Sequence, residues 1–395
     1  MRDEFAIRCF GRGNLFLIFL QGVFVIFSGW SWEVWGGDAR FLSPVPGGEH
    51  PITQWQDWER MGLRVSYFNV EKEGEDWFLW FSAGFAGGDV MVRLPFDRSG
   101  VLDRPAPQFN TQIVEGYERD LDGLDYPILS RAVGKTLADG GAVVYGAIGP
   151  RYRGGASELY PALFGRSPEG EWTHLGVPRG DPEMFLRAAA EAGASVRCEG
   201  GGLVRLDNGR WRLYLHGFWE AEADEWPVRG GRVVAPTLLL AEADHLEGPW
   251  TYVRDDNGRP VNLLEGSSVP WIFPHVQRLS DGTFLFTGAA QWPPKKVFAA
   301  YSKDGVQFIY PADEEGLPRP LREVGDIVPE GTYIKALRGE RRGPVFQAVA
   351  SVGSPASSGL AELWQSEARW SEDLWETLWN KSQGSEAAVD LQWSR

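Results

Sequence analysis

Sulfur, histidine, positive charge and helix-forming sequence are all scarce in this chain of 395 residues. Two cysteines and five histidines, spaced without pattern, offer no ligand set for a zinc site. If the N-terminal segment is removed, Cys9 leaves with it and Cys198 stands alone, so no intrachain disulfide is expected. Lys and Arg total 39 against 54 Asp and Glu, a formal net charge of −15. No basic stripe is present to neutralise phosphates, which argues against nucleic acid as a partner. The apolar run Leu15–Phe27 has thirteen residues. At about 1.5 Å per residue it is too short for a bilayer core about 30 Å thick. With Arg2, Arg8 and Arg12 before it and Ser28-Gly29 after it, the run reads as the core of an export signal over 1–29, without stable membrane insertion, although no A-x-A cleavage box follows.

Glycine (49) and tryptophan (19) are abundant instead, in short apolar stretches closed by turn residues, the composition of many strands. Five times a strand runs into an edge phrase of Ser or a near equivalent, then an acidic-Gly or acidic-Leu turn. The phrases are Phe96-Asp97-Arg98-Ser99-Gly100, Ser167-Pro168-Glu169-Gly170-Glu171-Trp172, Ala243-Asp244-His245-Leu246-Glu247-Gly248-Pro249-Trp250, Ser302-Lys303-Asp304-Gly305 and Ser371-Glu372-Asp373-Leu374-Trp375. Their spacing of about 60 to 80 residues fits a four-stranded unit with its loops, repeated as in a propeller. The expectation is an all-β, single-domain, five-bladed β-propeller over 30–380, with a loosely ordered tail at 381–395. One short helical insertion over 182–192, capped by Asp181 and Pro182 and stopped by Gly193, precedes blade three. The stretch Trp370–Trp379 is expected to close the ring against blade one.

In such a ring, residues five to eleven positions before each inner hairpin turn can meet a ligand in the central channel. Counting back from Gly74, Gly140, Gly209, Gly282 and Gly343 gathers Arg64, Ser130 with Arg131, Glu199, Ile272 with His275 near it, and Tyr333 with Lys335. Glu199 is the one clear carboxylate. It opens Glu199-Gly200-Gly201-Gly202, where glycines give room for close approach of a ligand and desolvate the acid toward general-acid behaviour. The alternative is a Gly-rich strand start in which the carboxylate binds backbone amides. His216 reads as a packed imidazole, and Asp120-Leu-Asp122-Gly123-Leu-Asp125 lacks the remaining ligands of a calcium loop, so no metal and no cofactor are expected. Trp219, Trp271 and Trp292 are candidates for sugar stacking, while most Trp pack between blades.

Cys198-Glu199-Gly200-Gly201, Glu247-Gly248-Pro249-Trp250 and Ser371-Glu372-Asp373-Leu374 make the chain resemble the five-bladed glycosidases, above all glycoside hydrolase family 43, across 63–379. The resemblance implies a carbohydrate-active enzyme, a glycoside hydrolase of poly- or oligosaccharides, with Glu199 as general acid. It also implies an Asp that tunes the acid, for which Asp125 is the best match, and an Asp base. For the base Asp38 lies upstream, with Asp57 and Glu59 competing, because blade one has no Asp at its aligned position. Displacement by water needs a base across the sugar ring, roughly 6.5–9.5 Å from the acid. The basic members of the ring suggest a second chemistry. Arg64, Arg131, Lys335 and His275 suit a uronic acid or a sulfated sugar. His275 or Tyr333 would then remove a proton beside a neutralised carboxylate, as a lyase or dehydratase does. A sugar-binding propeller without catalysis is the third reading, and a monomer is expected.

Overall fold

In the computed structural model the described residues are 17–20, 23–28, 31–36, 42–44, 50–53, 65–85, 88–97, 100–101, 107–109, 128–149, 160–175, 196–221, 233–258, 260–264, 271–290, 296–310, 322–323, 333–342, 345–353, 361–370, 373, 375–377 and 379–380. They are nearly all strand. Two units separate between Phe41 and Leu42. The first is an antiparallel sheet of β1 (Leu17–Leu20), β2 (Val23–Ser28) and β3 (Ser31–Gly36).

In the second unit, β4 (Leu42–Pro44) and β5 (His50–Thr53) precede five sheets. The first contains β6 (Val65–Glu73), β7 (Asp76–Phe85), β8 (Gly88–Asp97), β9 (Gly100–Val101) and β10 (Pro107–Phe109). The second orders β11 (Ile128–Thr136), β12 (Ala142–Gly149), β13 (Tyr160–Arg166) and β14 (Trp172–His174). The third orders β15 (Val196–Arg205), β16 (Trp211–Ala221), β17 (Val233–Ala243) and β18 (Thr251–Tyr252), and the fourth β19 (Trp271–Arg278), β20 (Phe284–Ala290), β21 (Lys296–Ser302) and β22 (Arg322–Glu323). The fifth contains β23 (Tyr333–Arg342), β24 (Val345–Gly353) and β25 (Ala361–Trp370), completed by β4 and β5. First strands neighbour one another in the cycle β6, β11, β15, β19, β23 and back to β6, so these five strands ring a common axis.

Each of the five edge phrases begins at the end of the third strand of its sheet: β8, β13, β17, β21 and β25. The fourth phrase shows what it does there. Ser302 Oγ accepts from Gly305 N at 2.7 Å, and Asp304 Oδ1 accepts from Val306 N and Gln307 N at 2.8 Å, which folds the turn on itself. The carbonyls so presented receive Arg212 Nη1 at Asp304 and the Tyr214 hydroxyl at Gly305, joining sheet four to sheet three. Gly305 holds φ +71°, and a Cβ there would sit 2.6 Å from that hydroxyl, so only glycine fits.

Ring closure corrects the expectation for Trp370–Trp379. Strands β4 and β5, from the start of the unit, pair antiparallel with β25. The helical residues beyond it pack on sheet four instead, with Trp375 fully buried against Tyr301 at 5.4 Å between ring centroids. The expected helix over 182–192 lies outside the described residues.

Sheet three is buried on both faces, and the period of two along its strands sorts the side chains. Leu213, Leu215, Leu239 and Ala241 join Val143, Tyr145 and Leu163 of sheet two. The alternate residues Tyr214, Leu238 and Leu240 join Val276, Phe284 and Phe286 of sheet four. Full burial of a leucine- or phenylalanine-sized side chain contributes roughly 1.5–3 kcal/mol. That is why Thr237-Leu-Leu-Leu-Ala241 is a continuous apolar run.

Candidate functional site

The inner strands share one irregularity. The register to the second strand shifts between Val65 and Tyr67, between Ser130 and Val133, between Gly200 and Gly202, between Ile272 and His275, and between Ile334 and Ala336. In every case the inner strand has one residue more than its partner, a bulge about eight residues before the hairpin glycine. Of the residues gathered by counting, Glu199 and Tyr333 lie two positions further toward the strand's N-terminal end, and Ser130 and Ile272 immediately precede their bulges, with Trp271, a stacking candidate, beside Ile272. Glu199 is on β15 opposite His216, Trp271 on β19 opposite Ala290, and Tyr333 on β23 opposite Gly353. Arg131 and Lys335 fall within the bulges of β11 and β23. Trp219 stands on β16 opposite Val196, at the same end. The backbone therefore brings Arg131, Glu199, Trp271, Tyr333 and Lys335 to one end of the ring. Asp38, Arg64, Asp125, Asp57, Glu59 and Trp292 lie outside the described residues.

The glycines after Glu199 have a packing cause of their own. A Cβ on Gly201 would lie 2.7 Å from Leu238 Cδ1, and one on Gly202, where φ is +142°, would lie 2.2 Å from the carbonyl oxygen of Val276 on the neighbouring inner strand. Close approach of β15 to β19 accounts for Gly201 and Gly202, so ligand access is not needed to explain them. His216 is 1% exposed, as a packed imidazole should be.

His275 is the one candidate whose side chain is described. It is 2% exposed, and among the described residues its Nδ1 has no hydrogen-bond partner. Burial, then the charges of Arg338 and Lys135, hold the imidazole well below its ordinary pKa, so it is neutral at physiological pH.

Beyond the bulges, at the hairpin end, the inner strands enclose a cavity of about 1110 Å³ that the counting did not single out. Lys135 reaches the axis there. Its Nζ donates to the Leu203 carbonyl at 3.3 Å, and its charge is felt with those of Glu71, Glu340 and Arg278, so it meets the other four inner strands. Burial lowers its pKa and the two carboxylates oppose that. Glu340 is pushed up to about 7 by burial, against the pull of Lys135. Glu71 is raised by burial, even though its carboxylate accepts from Thr136 N at 2.6 Å, Thr136 Oγ1 at 2.8 Å and Trp80 Nε1 at 2.9 Å. A signal for this group was present in the sequence. Five positions before each turn glycine stand Asn69, Lys135, Val204, Gln277 and Arg338, four polar residues and a valine at a single depth. Among the described residues no cluster of three or more His, Cys, Asp or Glu is arranged to hold a metal ion.

No protein-family model and no curated protein matches the sequence. Solved structures do. A GH62 hydrolase in complex with xylotriose superposes with a TM-score of 0.51 at 13% identity, over 80% of this chain and 95% of that one. The common element is the fold. An α-L-arabinofuranosidase from Podospora anserina in complex with cellotriose matches with a TM-score of 0.49 at 12% identity, over 80% and 95%. A GH43_1 enzyme from Xanthomonas citri matches with a TM-score of 0.43 at 10% identity, over 82% and 92%. The chain thus shares the propeller fold of the GH62 hydrolase.

Proposed function

We propose that this chain is a glycoside hydrolase of oligo- or polysaccharides built on a five-bladed propeller, with Glu199 as general acid. The observation that carries the reading is the position of Glu199. It lies two residues before the bulge of its inner strand, at the end of the ring where Arg131, Trp271 and Tyr333 also lie. A carboxylic acid there protonates the departing glycosidic oxygen while a carboxylate across the ring activates water. Asp38 is the base in this reading and Asp125 tunes the acid. The likeness in fold to a GH62 hydrolase solved with xylotriose makes a short neutral oligosaccharide the first substrate to try. Residues 1–29 serve as an export signal, the protein works as a secreted or periplasmic monomer, and a short helix over 182–192 precedes blade three.

A second reading is favoured by the bulges themselves. Two of the five place a cation, Arg131 or Lys335, on the inserted stretch. Together with Arg64 these suit the carboxylate of a uronate, with Tyr333 or the neutral His275 as base for β-elimination. The third reading, a sugar-binding propeller without catalysis, predicts retention of sugar with no product. The test is to incubate the protein, without residues 1–29, with neutral and acidic oligosaccharides and follow reducing ends together with the ultraviolet absorbance of an unsaturated uronate. Reducing ends alone support hydrolysis, absorbance supports elimination, and binding with neither product supports the third reading.

A further inference from the structure

The cavity at the hairpin end has a different chemistry from the end that holds Glu199. Most of its polar lining is internally satisfied. Glu71 is filled by Thr136 and Trp80, Gln277 exchanges bonds with the backbone of Gly339, and Arg278 is held by Asp207 at 2.5 Å and by the carbonyl of Arg205 at 2.9 Å. These groups build the ring.

Three inner groups are not filled in the same way. Among the described residues Lys135 Nζ makes a single hydrogen bond, to Leu203. Among the described residues the Glu340 carboxylate is hydrogen-bonded by the backbone of Arg341 and feels the charges of Lys135 and Asp281. His275 lines the cavity, 2% exposed, and among the described residues its Nδ1 has no partner. A buried polar atom without a partner costs about 1–3 kcal/mol, which a ligand or the water it carries recovers.

The charges select the class of ligand. An anion would face the carboxylates of Glu71 and Glu340, and a cation would face Lys135 and Arg278. A hydroxyl meets neither objection, because it accepts from Lys135 and donates to Glu340 with the same oxygen. The wall carries half-buried Trp211, whose ring suits the C–H face of a sugar and already lies 5.8 Å from the guanidinium of Arg205.

We propose that the hairpin-end cavity is a second binding site, for a neutral polyol or sugar ring held between Lys135 and Glu340, at the opposite end of the inner strands from Glu199. This site does not depend on hydrolysis at Glu199. It places a sugar at the opposite end of the inner strands from Glu199, where it acts as an anchor or a sensor for product.

The experiment is calorimetric titration of the full chain with myo-inositol, D-xylose and xylotriose, repeated on Lys135→Met, Glu340→Gln and Glu199→Gln, with the ring nitrogens of His275 followed by NMR. The expected result is millimolar-range binding that weakens at least tenfold in Lys135→Met and in Glu340→Gln, persists in Glu199→Gln, and moves the His275 signal. Should Lys135→Met fail to fold, the near-isosteric Glu340→Gln carries the same reading. Binding that survives both hairpin-end variants and disappears in Glu199→Gln overturns the proposal, as does the absence of binding by all three probes. Loss of the hydrolase reading would appear separately, as unchanged activity in Glu199→Gln.

Discussion

The two ends of the inner strands are built on opposite plans. At the hairpin end, side chains lace each sheet to the next. Asn69 and Glu71 of sheet one bond to sheet two at Gly134 and Thr136. Lys135 of sheet two reaches Leu203 of sheet three, and Arg278 of sheet four reaches Asp207 of sheet three. Gln277 joins sheet four to Gly339 of sheet five, and the guanidinium of Arg338 in sheet five lies 5.7 Å from the ring of Phe68 in sheet one. At the other end each strand instead breaks register by one residue, and the glycines beside Glu199 bring backbones together without side chains between them. The described side-chain bonds between sheets lie at the hairpin end, and the register breaks lie at the other. Such a division suits an enzyme whose scaffold is held at the floor while its chemistry is set by loops and strand starts.

That contrast can be broken most severely at the point where the two plans meet. Gly202→Ala forces a Cβ against the Val276 carbonyl at a positive φ. A loss on the order of 3 kcal/mol or more is expected from strain and overpacking, read as a lower midpoint in urea or heat. Next in size, Glu71→Ala strands the Thr136 amide and leaves the Trp80 indole only its longer bond to Thr136 Oγ1 at 3.2 Å, in a part-buried setting. A cost of about 2–3 kcal/mol is expected, with the catalytic rate of the folded fraction unchanged. A fall in that rate without a change in stability would erase the distinction between the ends.

A smaller effect depends on pH. The folded Glu340 has a pKa of about 7 against an ordinary 4.5, so between those values the folded chain keeps a proton that the unfolded chain has released. Stability therefore falls as pH rises through that window. Glu71, also raised, acts in the same direction. In Glu340→Gln the decline should be shallower, as urea midpoints from pH 4.5 to 7 will show. The smallest effect belongs to Lys303→Ala, which removes a half-exposed ion pair with Glu376 at 2.8 Å. Surface pairs of this kind contribute about 1 kcal/mol or less, so a large loss of stability would mean that the C-terminal helical residues are a keystone of the ring.

Much of this architecture is legible in the residues, for physical reasons that can be named. The edge phrases combine a turn acid with a following glycine or leucine, and the structure places all five at the ends of third strands. Positions equally far from the turn glycines share one depth because every inner strand inserts one residue at about the same distance from its hairpin. Had one strand lacked the bulge, the alternation of its two faces would have been reversed at that depth. The closing strands were not legible. Leu42–Pro44 and His50–Thr53 are too short to show a period, and Pro44 and Pro51 suggest loops until β25 is seen to pair with them. The axial lysine was hidden for another reason. Lys135 occupies a strand position that on any other sheet would face solvent, and only closure into a ring turns that position toward four other strands. The glycines around Glu199 carried an ambiguous signal, since close strand packing and ligand access ask for the same residue.

The central claim is that the bulged end of the ring carries the chemistry and that Glu199 performs it. The direct measurement is the release of reducing ends from xylotriose and a panel of neutral oligosaccharides by the wild-type chain and by Glu199→Gln, with the thermal midpoint of each recorded alongside. Loss of general-acid catalysis predicts a fall of about 10²–10⁴-fold in rate with the midpoint unchanged. A Glu199→Gln variant that hydrolyses as fast as wild type would contradict the account.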